Sequence, residues 1–254
     1  FSVMPIAGDQ GCGIGLYEAH VGGFNFGDLK FGIRPSFAEY ESALSSEEKN
    51  RYGEYIRYFD ASSRDEMLAH VADNLTTNRI VNVALGKMEY GPRALCNTTT
   101  LALPLKDNVE YINELNERDT VMPMAPIMPV AAAPKFYDVS YLNRVVGSDR
   151  YMILTYDYTK PDIDAYGGVC HKYPCQDTWS GRPQLIDDSC PFIVDLFEKL
   201  DVQHPILINT SFNAHGRPIV YAFDSVFDSF RFEVDKALEL GKKPPLLVLS
   251  DITR

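Results

Sequence analysis

Apolar positions recur along this chain at two spacings. Met67, Leu68, Val71 and Leu75 fall at three- and four-residue intervals, which predicts a helix capped by Ser62 or Ser63 and running to about Thr77. Val109, Ile112 and Leu115 repeat that spacing within Asp107 to Arg118. Further helices are predicted over Ser36 to Tyr52, Cys190 to Leu200 and Ser225 to Leu240. Ser36 followed three residues on by Glu39 is a capping-box pair, and Asp187 or Ser189 stands near the start of the Cys190 helix. Short apolar runs predict strands at Tyr55 to Phe59, Ile80 to Leu85, Tyr151 to Tyr156, Pro205 to Asn209 and Leu246 to Leu249. Met122 to Ala133 is apolar but proline-rich, so it is expected to be extended or turning rather than helical. Asp157 to Gly181 is a long polar stretch with glycines and prolines. Helices and strands are mixed throughout, so the class is α/β or α+β.

Composition narrows the partners. The 254 residues are 45% hydrophobic and 23% charged, which excludes a disordered chain or a coiled coil. A net charge of -11 argues against nucleic acid, whose binding needs a basic surplus to displace counterions. A small polyanion remains possible if Lys and Arg cluster locally. No apolar run approaches the roughly 18 residues of a membrane span. The opening FSVMPIAGDQGCG has neither an initiator Met nor a basic leader, so a fragment or processed chain with a cytoplasmic location is expected. Five cysteines, an odd number, do not read as a disulfide framework. Cys170, Cys175 and Cys190 lack the spacing of a common zinc finger.

Two segments carry polar residues just beyond apolar runs. In Gly86 to Leu95 a strand ends at a glycine, and Gly91-Pro92 opens a short helical start that places Arg93 in its first turn. Free N–H groups there make an anion seat, although a lone Gly-Pro-Arg equally describes a solvated turn. In Ile208 to Ile219, Asn209, Thr210, Ser211 and Asn213 follow directly on a strand's carboxyl end, where open α/β sheets bind ligands. Their amides and hydroxyls suit a phosphate or carboxamide, or alternatively a capped turn.

Read together, GKMEYGPRALCNTT and NTSFNAHGRPIV resemble GRMEFGPRALGNRS and NTSFNxxGEPIV. The latter are motifs of the C-terminal domain of the O-carbamoyltransferases of nodulation-factor, aminoglycoside and cephalosporin pathways. Asn113 to Arg118 with Pro123 to Pro126 is similar to that family's NxxIKxRExFRPFAP. Arg150-Tyr-Met-Ile-Leu resembles its YM strand, and Gly181 to Gln184 its TARxQ segment. The resemblance spans about Asp60 to Asp228. It implies a YrdC-like twisted mixed sheet with flanking helices over 36–254. Residues 1–35 would be the tail and linker of an actin/Hsp70-like domain, because Met4 to Gly15 resembles PAAGDxGxAxGAA. Asp9 matches the aspartate that completes a divalent-metal site (Fe²⁺ or similar) in that domain. The rest of that N-terminal half is expected to be cut away or supplied by another chain.

The resemblance further implies that carbamoyl phosphate and ATP, with Mg²⁺, form carbamoyl-adenylate for transfer to a hydroxyl of a small-molecule acceptor. Arg93, Arg182 and Ser211 would be catalytic, and Lys87, Arg118, Asn209 and Asn213 would bind substrate or nucleotide. Several positions depart from the pattern: Asn116 for lysine, Met122 and Thr98 for arginines, Cys96 for glycine and Arg217 for glutamate. Each charge-assisted partner lost to a phosphate removes about 1.5–3 kcal/mol. Lys87, Lys106 and Arg217 are candidate replacements. A diverged, non-catalytic binding or assembly module that keeps the fold, and a homo-oligomer, are also consistent with the sequence. A free-standing synthase is disfavoured by the Gly-Asp-Gln-Gly remnant.

Overall fold

The computed structural model describes residues 36–87, 89–118, 124–140, 148–188, 190–200 and 202–251, together with Cys12, Leu16, His20 and Val21. Asp9 and the domain tail expected around it, Met122 and Ser189 lie outside the described residues.

The first helical stretch is two helices, α1 (Phe37–Ala43) and α2 (Ser46–Tyr52). The capping box of Ser36 and Glu39 forms, but Ser45 and Glu48 form a second one. Ser45 starts a new helix, and Leu44 before it turns extended. Strand β1 (Ile56–Phe59) follows, then α3 (Arg64–Thr76). The cap before α3 is Asp60 rather than Ser62 or Ser63. Its carboxylate accepts from both of their N–H groups and opens a 3₁₀ turn that leads into the helix.

The later elements are β2 (Val81–Leu85), β3 (Thr98–Ala102), α4 (Lys106–Leu115), β4 (Ala125–Pro129), β5 (Tyr156–Asp157), α5 (Ile163–Tyr166), β6 (His171–Lys172), β7 (Trp179–Gly181), β8 (Gln184–Ile186), α6 (Pro191–Lys199), β9 (Leu207–Ser211), α7 (Phe223–Glu239) and β10 (Leu246–Ser250). They build a mixed α/β fold around a seven-stranded sheet of order β1-β10-β2-β3-β9-β4-β8. The β1-β10-β2 pairs and the β4-β8 pair are parallel, and β2-β3-β9-β4 are antiparallel. Strand β10 shows how both faces are covered. Leu246 and Val248 pack with α3 and α6, whereas Leu247 and Leu249 pack with α7 and the Tyr40 and Tyr52 rings.

One predicted strand fails. The strand over Tyr151 to Tyr156 does not form: Ser148–Tyr151 is a 3₁₀ turn, and Met152 sits at φ 53, which breaks an extended run. Only its end joins β5, in a small antiparallel sheet of order β5-β7-β6. The polar stretch Asp157 to Gly181 contains α5, β6 and β7. Tyr158 and Tyr166 stack there, and Tyr137 lies tilted against Tyr158, its hydroxyl donating to that of Tyr158 at 2.7 Å. Gly181 is required at its place, since a Cβ would stand 2.5 Å from the Tyr137 hydroxyl.

Candidate active site

A cavity of about 200 Å³ opens beside the carboxyl end of β9, roughly the space of six water molecules. Arg93, Arg118, Arg182, Asn209, Ser211 and Asn213 all line it. Lys87 does not: it is exposed on the turn after β2. Nor do Lys106 and Arg217, the other candidate replacements for the missing cations.

The loop that carries Arg93 is wound around one carboxylate. Glu89 is 1% exposed and accepts from the N–H groups of Leu95 at 3.0 Å, Asn97 at 2.5 Å and Thr98 at 2.9 Å, and from the Thr98 hydroxyl. The helical start expected after Gly91-Pro92 is not formed; these residues make bends. The N–H groups of Leu95 and Asn97, just beyond them, are taken by Glu89, so no helix terminus with free N–H groups stands there and Arg93 brings only its guanidinium to the cavity. Glu89 has no assigned role on sequence grounds, although it stands between a strand end and Gly-Pro-Arg within the first motif. Cys96, at the family's glycine position, holds φ 73, a left-handed conformation that costs a side-chain-bearing residue about 1–2 kcal/mol. Its thiol donates to Gln184 Oε1 at 3.2 Å.

Asn209 is 1% exposed and ties three elements together. It accepts from the Thr99 hydroxyl of β3, and it donates to the Ala94 carbonyl at 3.0 Å and to Gln184 Oε1 of β8 at 2.7 Å. Its carboxamide is occupied within the protein, so it shapes the cavity wall. The half-buried Ser211 hydroxyl has no hydrogen-bond partner among the described residues. Asn213 donates to the Arg217 carbonyl at 2.7 Å, closing a turn through Gly216, while its Oδ1 is buried without a partner among the described residues.

Arg118 arrives through a Schellman turn at the end of α4. The Arg118 N–H reaches the Asn113 carbonyl and the Glu117 N–H that of Glu114, both at 3.1 Å, with Glu117 in the left-handed position usually held by glycine. Asn116, where the family has lysine, is 1% exposed and donates to the Ile112 carbonyl at 3.0 Å. Thr98, where the family has arginine, gives its hydroxyl to Glu89. His215, overlooked in the sequence, lines the cavity within the turn that Asn213 closes.

Among the described residues, neither Arg93 nor Arg182 forms an ion pair. Burial holds Arg182 below the usual arginine range, and the neighbouring Arg93 charge lowers it further. Burial likewise lowers Arg118, with Glu233 pulling the other way. Among the described residues no cluster of three His, Cys, Asp or Glu is arranged to hold a metal ion. Burial pushes the Cys170 thiol up to about 11, the behaviour of an inert core thiol. Among the described residues no helix is long and apolar enough to cross a membrane.

Comparison with known proteins adds four findings. Residues 72–243 match the family model described as carbamoyltransferase C-terminus. The chain is 30% identical over 250 residues to an uncharacterized protein of Methanocaldococcus jannaschii, covering 94% of this chain and 45% of that one. It is 29% identical over 150 residues to the 3'-hydroxymethylcephem-O-carbamoyltransferase of Amycolatopsis lactamdurans, covering 58% of this chain and 26% of the relative. Its backbone is similar to that of P. abyssi Sua5, with a TM-score of 0.46 at 13% identity over 77% of this chain and 49% of that one. The chain spans less than half the length of the first two relatives, 45% and 37%.

Proposed function

Since this chain belongs to the carbamoyltransferase family, matching its C-terminal part, we propose that its cavity binds carbamoyl phosphate and ATP and forms carbamoyl-adenylate for transfer to a hydroxyl of a small-molecule acceptor. The observation that carries this reading is the meeting of Arg93 and Arg182, without an ion-pair partner among the described residues, in a chain of net charge -11. Two like charges are held together in a partly buried site at a cost that a bound anion offsets. The cephem relative's name supplies the acceptor class, a hydroxymethyl group on a small molecule.

The chemistry asks little beyond placement and charge. Water displaces phosphate from carbamoyl phosphate, and an oxygen of the resulting carbamate then displaces pyrophosphate from the α-phosphorus of ATP. Arg93 and Arg182 grip phosphate oxygens with paired N–H groups, and Arg118 offsets charge on the α4 side. The Ser211 hydroxyl donates to an oxygen. Asn213 Oδ1 accepts from the carbamoyl amino group, the one hydrogen-bond donor of that substrate. The divalent ion arrives with ATP.

Titration calorimetry with carbamoyl phosphate and with Mg·ATP, followed by a pyrophosphate-release assay, tests the reading. Binding that is lost in Arg182→Ala, with pyrophosphate formed by the parent chain, is the expected result. Absence of binding by either ligand overturns it. A second reading, a binding module without adenylation, is favoured by the burial of Asn116 and by the absence of Lys87, Lys106 and Arg217 from the cavity wall. It predicts anion binding with no pyrophosphate.

A further inference from the structure

A second cavity opens at the other end of β9. His204 and Pro205, just ahead of that strand, line it together with the close of the 3₁₀ turn Val130–Lys135 after β4 and with α5. Its volume of about 670 Å³ falls in the range of small-molecule pockets. Backbone pairing sets the walls. The Phe136 carbonyl accepts from the Thr159 N–H at 2.9 Å and from the Thr159 hydroxyl at 3.1 Å, and Tyr137 bridges Tyr158. This fastens the chain just after Lys135 to the chain just before Lys160, and both exposed lysines line the cavity. Asp162 and Asp164 line it as well, Asp162 capping α5 by accepting from the Ala165 N–H at 3.0 Å. Among the described residues none of these four charges forms an ion pair. The rings of Phe136, Tyr166 and His204 meet edge to face, with centroids 5.3 to 6.0 Å apart. His204 Nε2 is buried without a hydrogen-bond partner among the described residues, a rare condition for a polar atom.

The geometry points to a second ligand site, for a small zwitterion with an apolar side group, the chemistry of a hydrophobic amino acid. The ligand carboxylate pairs with the Lys135 and Lys160 ammonium groups, and its own ammonium with Asp162 and Asp164. Its side group lies against the Phe136 and Tyr166 rings, and a carboxylate oxygen is the partner that His204 Nε2 lacks. The lining carries charges of both signs that do not neutralise each other in pairs. A simple anion would meet the two carboxylates and a simple cation the two lysines, so neither gains what a zwitterion gains. The site stands at the opposite end of β9 from the anion cavity and does not depend on the reading of that cavity.

L-phenylalanine and L-leucine are the probes. The full chain is titrated with each by calorimetry at pH 7, and with the analogues that lack one charged group, which for phenylalanine are 3-phenylpropanoate and phenethylamine. At least one of the two amino acids should bind saturably, and its one-charge analogues should bind about tenfold more weakly or worse. Lys160→Gln and Asp164→Asn, both at exposed positions, should each weaken the amino acid about tenfold or more. Circular dichroism should show both variants unfolding at the parental temperature, which separates a lost contact from a lost fold. Binding of neither amino acid overturns the proposal, as does equal binding of a one-charge analogue. Parental affinity in either variant also overturns it, since the ligand would then sit elsewhere.

Discussion

The two halves of the central sheet are built on different principles. In β1-β10-β2 the interior is aliphatic: Val81, Val83 and Leu85 with Leu246 to Leu249, buried on both faces. In β3-β9-β4-β8 aliphatic residues such as Leu101, Ile127 and Leu207 share the interior with a polar cluster, Thr98, Thr99, Thr100, Asn209 and Gln184, all buried. The polar side chains bond to Glu89, Asn82, one another and the Ala94 carbonyl. Burying a Leu or Val side chain stabilises by about 1.5–3 kcal/mol in any well-packed orientation. A hydrogen bond contributes about 1 kcal/mol net, but only at the right distance and angle. The aliphatic half supplies stability, and the polar cluster supplies position: its bonds hold the Arg93 loop, β8 and β9 around the cavity.

That contrast can be broken by substitution. Glu89→Ala should have the largest effect. It strands the N–H groups of Leu95, Asn97 and Thr98, so urea denaturation should show a loss of about 3–5 kcal/mol, and affinity for carbamoyl phosphate should fall as well. A stability change below about 1 kcal/mol would mean that this carboxylate does not organise the loop. Leu249→Ala, in the other half, should cost about 2–5 kcal/mol of stability while the folded variant keeps parental anion affinity. Arg182→Ala should invert that outcome. Calorimetry should show affinity for carbamoyl phosphate reduced roughly 10- to 100-fold, with stability unchanged or raised because a partly buried charge beside Arg93 is gone. Glu117→Gly should give the smallest change, a gain of at most about 1 kcal/mol. It relieves the left-handed backbone and gives up only an exposed pair with Lys236.

The same contrast explains what could be read from the chain. Val81 to Leu85 and Leu246 to Ser250 announce themselves because buried parallel strands are continuous apolar runs. The faces of α3 and α4 were likewise visible in their periodicity. Strand β3 reads Thr-Thr-Thr-Leu-Ala and looks exposed. It is buried because the Thr99 hydroxyl finds Asn209, 110 positions away, a partner that no local window contains. The division between α1 and α2 was missed because a second capping box lay inside an unbroken helical pattern. Of the residues singled out for the site, Arg93, Asn209, Ser211, Asn213, Arg182 and Arg118 converge on the cavity. Lys87 does not, since the turn that holds it is tied from its own carbonyl to Asn97 and leaves its side chain in solvent. His215 carried no pattern of its own, and the bonds that Glu89 makes appear only once its loop folds back on itself.

The orphaned oxygen of Asn213 has a consequence for selectivity. A cavity lined only by cations would welcome any phosphate of the right size, yet this wall also holds an acceptor that no oxyanion can satisfy. Acetyl phosphate, with a methyl where the carbamoyl compound has an amino group, would neutralise the arginines equally and leave that oxygen dry. Such a vacancy typically costs about 1–3 kcal/mol. On the proposed reading, the two compounds should be told apart by this one acceptor rather than by the shape of the pocket.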